Sequence, residues 1–192
     1  MKKLEFQITD KGSKKYIYKK IKWDLSEQLD IVEFLLENPN YNFVKAGKIV
    51  KNPESTCGFK IQTIDEYETA KFIIYLLVID GKIVKGGKSK NPLPSRTYGA
   101  GTENNWTMKG SPSDTNYVYS QIFRDCLKKG IDVDFYCYAV PYETKKYNVF
   151  GEIKTYECSP YEEYEKALNL KLKEKLGRNL IGEGKLLAPF KK

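Results

Sequence analysis

Eight consecutive apolar residues, Phe72-Ile73-Ile74-Tyr75-Leu76-Leu77-Val78-Ile79, run straight into Asp80-Gly81. An unbroken run of that length reads as a strand buried on both faces. Asp-Gly is a hairpin-turn dipeptide, because its two positions tolerate positive φ. The returning strand ends in Lys85-Gly86-Gly87-Lys88-Ser89, and Arg96 follows beyond a Pro-bounded loop. A tyrosine in the middle of a buried strand, a lysine on its hairpin partner and an arginine just after form a compact polar cluster in an otherwise apolar element. Parity adds a constraint. A plain two-residue turn pairs Ile79 with Lys82, and alternation then puts Tyr75 and Lys85 on opposite faces of the sheet. If both serve one site, the hairpin needs a three-residue loop or a bulge.

Around this hairpin the pattern is mixed. Leu4 to Ile8 and Lys15 to Trp23 read as strands flanking a turn at Gly12-Ser13. Ser26 to Leu36 is a short amphipathic helix ended by Asn38-Pro39-Asn40, Tyr41 to Lys51 is a strand, and Asn52 to Ser55 is a turn. Thr97 to Thr115 is polar and rich in Gly, Asn and Ser, a long loop of the kind that is functional or disordered. A helix capped near Asp114-Thr115 and stopped by Gly130 follows, then a strand from Asp132 to Val140. Pro160 opens a last helix that runs to about Leu176, with Gly177 as its stop. There is no internal repeat and no obvious linker. The expectation is one packed α+β unit, a small, mostly antiparallel sheet flanked by helices. Residues 1–68 are assigned to an N-terminal strand and helix extension for dimerisation or partner contact, and residues 69–192 to the core.

Composition limits the chemistry. The 192 residues contain no histidine. That removes Ser-His-Asp and Cys-His hydrolases, histidine metal centres and every nuclease whose general base is an imidazole. Proton transfer must fall to Tyr, Lys, Glu, Asp or Cys. Cys57, Cys126, Cys137 and Cys158 lack CxxC spacing, so a zinc site is not expected and reduced thiols suit a cytoplasmic protein. No apolar run approaches a membrane span, and Met1-Lys2-Lys3-Leu4-Glu5 has no signal-like apolar stretch. The net charge of +8, spread along the chain together with 15 tyrosines, fits a polyanionic partner as well as an ordinary solvated surface.

With those residues in view, the stretch Tyr75 to Arg96 resembles the core of the GIY-YIG nuclease superfamily, in its type II restriction endonuclease branch. Tyr75 stands for the tyrosine of GIY, which here is Ile73-Ile74-Tyr75. Lys85-Gly86-Gly87 replaces Tyr-Ile-Gly, and Arg96 sits where the family keeps an arginine. The resemblance extends over roughly residues 72–179, through the helix opened by Thr115-Asn116-Tyr117-Val118-Tyr119 and the strand Lys129 to Tyr136. It implies a double-stranded DNA substrate, a Mg²⁺ ion held by a glutamate on the last helix, and in-line attack by water with Tyr75 as general base. Lys85 and Arg96 would lower the phenol pKa from its ordinary value near 10, Arg96 would neutralise charge on phosphorus, and Tyr98 would orient water or phosphate. In the loop, Asn104, Asn105, Trp106 and Lys109 are candidates for DNA contact. A site that cuts one strand implies a homodimer for double-strand breaks at symmetric sequences.

Helical geometry selects the acid. At about 100° per residue, Tyr161, Leu168, Leu172 and Leu176 share one stripe, and Glu165 falls between Leu172 and Leu176 on it. Glu163 points nearly opposite and Glu162 lies at the edge. A carboxylate aimed into an apolar face is costly unless it pairs with a base or binds a cation, so Glu165 is either a metal ligand or half of a buried ion pair. Gly81 to Ser89 has the look of a phosphate loop but fails, because five residues separate Gly81 from Gly87 where four are needed. Pro92 and Pro94 also block the helix such a loop requires. Asp134 with Glu152 and Lys154 forms a D…ExK set suited to a metal-dependent nuclease of another fold. The remaining alternatives are a homing or repair nuclease and a non-catalytic basic DNA-binding domain.

Overall fold

The computed structural model describes residues 3–9, 18–55, 58–96 and 114–183. In chain order these form β1 (Lys3–Thr9), β2 (Tyr18–Asp24), α1 (Ile31–Glu37), β3 (Val44–Lys51), β4 (Phe59–Thr63), α2 (Asp65–Thr69), β5 (Ile73–Ile79), β6 (Lys82–Ser89), α3 (Asp114–Lys128), β7 (Val133–Ala139), β8 (Glu143–Val149), β9 (Glu152–Cys158) and α4 (Tyr161–Leu176). Short 3₁₀ turns occupy Leu25–Glu27, Pro39–Tyr41 and Leu93–Arg96. The fold is α+β, as the pattern predicts.

Five strands make the central sheet in the order β4-β3-β7-β5-β6, every neighbouring pair antiparallel. β5 lies between β7 and β6, and all seven of its residues are buried. This is why the run from Phe72 to Ile79 shows no apolar–polar alternation. Its side chains divide by parity. Ile73, Tyr75, Leu77 and Ile79 join Val118, Ile122 and Phe123 of α3 and Phe6 and Trp23 of the β1–β2 hairpin. Ile74, Leu76 and Val78 join Ile31 and Phe34 of α1 and Leu168 and Leu172 of α4. The sheet is thus sandwiched between two apolar layers. Phe123 ties the first together, with its ring edge-on to Phe59 at 5.7 Å and to Phe135 at 6.3 Å.

The first helix differs from its sequence reading. Residues 25–27 form a 3₁₀ turn, and α1 starts only at Ile31 because Asp30 caps it, its carboxylate accepting from Val32 N–H at 2.9 Å and Glu33 N–H at 3.3 Å. α4 ends at Gly177, where the chain turns left-handed at φ 71. The boundary expected after residue 68 falls inside α2, one residue before its end, and strands from both sides of it enter the central sheet, since β3 pairs with β7. β8 and β9 form a separate ribbon, exposed along nearly its whole length, with Phe150 at its turn fully in solvent.

Candidate active site

The geometry of the site begins with the β5–β6 hairpin. Ile79 does pair with Lys82 across a two-residue turn in which Asp80 and Gly81 have φ 52 and 76. The register then slips between Leu77 and Val78. Val78 faces Ile83, Leu77 faces Lys85, and Val84 is the extra residue of a bulge. The slip reverses the parity of everything after it. Lys85 therefore shares a face with Leu77 and Tyr75, and the hairpin contains the bulge that a common site demands.

The two glycines after Lys85 serve opposite faces. Gly87 lies across from Tyr75, and a Cβ there would stand 2.5 Å from the Tyr75 Cζ and hydroxyl. Only glycine lets the phenol ring lie across β6. Gly86 lies across from Leu76 on the other face, where a Cβ would collide with the Asn169 amide oxygen. On its far side the Tyr75 ring meets Phe135 edge-on at 5.8 Å, and the residue is buried.

A second tyrosine occupies the same layer. Lys85 Nζ lies 5.8 Å from the centre of the Tyr119 ring, within cation–π reach. The Tyr119 hydroxyl donates to the Gly182 carbonyl at 2.7 Å. Burial, then Tyr75, then Glu183 push its phenol well above the ordinary pKa, so Tyr119 stays a protonated donor. The 3₁₀ turn that ends at Arg96 is anchored on this face too, because Leu93 is wholly buried in the Tyr75 layer. Tyr98 lies outside the described residues, as do Asn104, Asn105, Trp106 and Lys109.

Glu165 is placed elsewhere. Its carboxylate meets Lys88 Nζ at 2.9 Å, and Glu162 meets the same ammonium at 3.4 Å. Lys88 faces Ile74, so the pair belongs to the α4 side of the sheet, opposite Tyr75. The hydrogen bond to Glu165 is the main cause of the raised Lys88 pKa. Glu163 is exposed and pairs with Lys166 at 2.8 Å. Glu165 and Glu163 thus point to different surroundings, and of the two alternatives for Glu165, a metal ligand or half of an ion pair, the contact present is the ion pair with Lys88. Asp134, Glu152 and Lys154 do not share an element. Asp134 is buried in β7 with Lys45 at 2.7 Å, whereas Glu152 and Lys154 pair with each other on the exposed ribbon at 3.4 Å.

Among the described residues no cluster of three or more His, Cys, Asp or Glu side chains could hold a metal ion. Glu162 and Glu165 nevertheless converge on one cationic centre, the Lys88 ammonium. Mg²⁺ needs only one or two carboxylates when waters and substrate phosphates complete its shell, so this pair fits such an ion. A carboxylate that sequence reasoning missed, Glu183, accepts from Gly86 N–H at 3.1 Å. It lies in a tail without periodicity, and no local signal marks it.

No family model matches the chain, and no curated protein matches it. Among solved structures, a restriction endonuclease HPY188I in complex with product DNA aligns with 83% of this chain and 88% of its own at 28% identity and a TM-score of 0.47. A mutant of bacteriophage T4 EndoII aligns with 74% of this chain and 95% of its own at 19% identity and a TM-score of 0.51. The chain shares its fold with EndoII.

Proposed function

We propose that the protein is a Mg²⁺-dependent endonuclease of double-stranded DNA, of the type II restriction class, acting as a homodimer in the cytoplasm. The observation that carries this reading is the bulge. It turns Lys85 onto the face of Tyr75 while Gly87 opens the space that the phenol fills. Proton abstraction by a tyrosine requires a phenol pKa drawn down toward neutrality, and adjacent cations are the means. Lys85 supplies one from the same face. Arg96 supplies the other and neutralises charge building on the phosphorus during in-line attack. Tyr75 takes the proton of the attacking water, which Tyr98 orients.

Glu165, with Glu162 beside it, would hold the metal ion, which would supply charge stabilisation for the leaving oxygen. β6 is the edge strand of the sheet. A phosphodiester lying across it near Gly87 and Lys88 meets Tyr75 from one face and the Glu165 side from the other. The net charge of +8 attracts the polyanion.

Incubating the protein with mixed plasmid DNA and sequencing the cut ends tests the reading. The expected result is Mg²⁺-dependent double-strand cleavage at a short symmetric sequence, abolished by EDTA. Light scattering of the DNA complex should give two chains per duplex. A strictly monomeric complex that only nicks supercoiled plasmid would point to a homing or repair type of nuclease. Glu165→Gln should lose the Mg²⁺-stimulated rate, by about 10²-fold or more, whereas Glu163→Gln should retain it. Inactive Glu152→Gln and Lys154→Ala variants with an active Glu165→Gln would transfer the chemistry to the D…ExK set.

A further inference from the structure

The outer edge of β6 carries two stretches of chain. Near the turn, Ile31 N–H donates to the Gly81 carbonyl at 3.0 Å and Ile83 N–H donates to the Leu29 carbonyl at 2.9 Å. Further along, Gly182 N–H donates to the Val84 carbonyl at 2.8 Å, and Gly86 N–H donates to Glu183 Oε1 at 3.1 Å. This second pair brackets Lys85, with one bond on each side of it. The segment making it is itself secured. Ile181 N–H donates to Gln28 Oε1 at 3.1 Å, the Tyr119 hydroxyl donates to the Gly182 carbonyl at 2.7 Å, and Glu183 N–H closes a turn onto the Leu180 carbonyl at 3.0 Å. Leu180 is buried in the α1–α4 layer and Ile181 packs against the opposite one, so residues 180–183 cross the sheet edge from one layer to the other.

These bonds fall where the ladder is weakest. A bulge leaves its extra residue unpaired with the neighbouring strand. Here that residue is Val84, which is wholly buried. A buried carbonyl without a partner is destabilising, and Gly182 provides the partner. We infer that Leu180–Glu183 is a clamp on the bulge and that Glu183 is a positioning residue, its carboxylate fixing Gly86 so that Lys85 stays turned toward Tyr75. The kinetic half of this inference rests on the proposed role of Tyr75 and Lys85; the structural half stands without it.

Amide hydrogen exchange on the full chain, alongside cleavage kinetics, tests both halves. In Glu183→Ala the Gly86 amide should exchange on the order of tenfold faster while amides at the centre of β5 keep their protection. The kcat for DNA cleavage should fall roughly 10- to 100-fold with KM unchanged, as expected when a reacting group is misplaced by about an ångström. Glu183→Gln keeps an acceptor for Gly86 and should restore both measurements. Gly182→Ala, whose Cβ would run into the Tyr119 hydroxyl and the Val84 carbonyl, should reproduce the Glu183→Ala result. Unchanged Gly86 exchange in Glu183→Ala overturns the clamp. Normal exchange with lost activity in Glu183→Gln overturns the positioning role, because the charge itself would then be what matters. If the wild-type chain cuts no DNA, the nuclease reading falls and the exchange data alone decide the clamp.

Discussion

Tyr75→Phe should reduce DNA cleavage by about 10²- to 10⁴-fold, the range that removal of a positioned general base produces. Only a hydroxyl is lost. The ring keeps its edge-on contact with Phe135 and its place over Gly87, so the apolar layer stays filled and unfolding free energy should change by about 1 kcal/mol or less. DNA affinity, read by fluorescence anisotropy, should be nearly unchanged. Tyr119 cannot substitute, because its hydroxyl is committed to Gly182 and its pKa is driven upward by burial. Near-normal cutting by Tyr75→Phe would remove Tyr75 from the role of base.

Gly87→Ala attacks the same group from the opposite strand. The added methyl would sit 2.5 Å from the Tyr75 Cζ and hydroxyl and 2.9 Å from Cε2, closer than real side chains approach. The ring is backed by Phe135 and has little room to retreat. Overpacking of this kind typically destabilises by about 1–3 kcal/mol, measurable by denaturant unfolding. Displacing the phenol by about an ångström should lower the cleavage rate by about 10²-fold. An active, fully stable Gly87→Ala variant would show that the position of the Tyr75 hydroxyl over β6 is not what the chemistry uses.

The parts of the fold that were legible in the sequence are those written in local pattern. The apolar run of β5, the Asp80-Gly81 turn, and the helices ended by Gly130 and Gly177 all depend on neighbouring residues. β8 and β9 were missed because Glu143–Val149 and Glu152–Cys158 are exposed on both faces and show no apolar alternation. The membership of β3 and β4 in the central sheet was missed for another reason. The pairing of β3 with β7 joins residues such as Lys48 and Asp134, and nothing near either residue encodes so distant a partner. The site divides in the same way. Parity arithmetic on the hairpin asked for a three-residue loop or a bulge if Tyr75 and Lys85 share a site, and the chain uses the bulge, whereas helical periodicity turned Glu165 inward without saying which layer it would enter. Glu183 gave no signal, since its role arises only when the tail crosses β6.

The bulge at Val84 also sets a rule for lengths. Side chains on a strand point alternately up and down. With the turn and the bulge kept, adding or removing one strand residue between Tyr75 and Lys85 therefore sends Lys85 to the α4 side, whereas a change of two leaves it in place. Viable hairpins of this design can grow or shrink only in steps of two, or in a step of one that erases the bulge. A variant with Val84 deleted and one residue added to the turn would keep both the length and the facing of Lys85. It would swap an irregularity in the strand for one in the loop, where insertions are borne more easily.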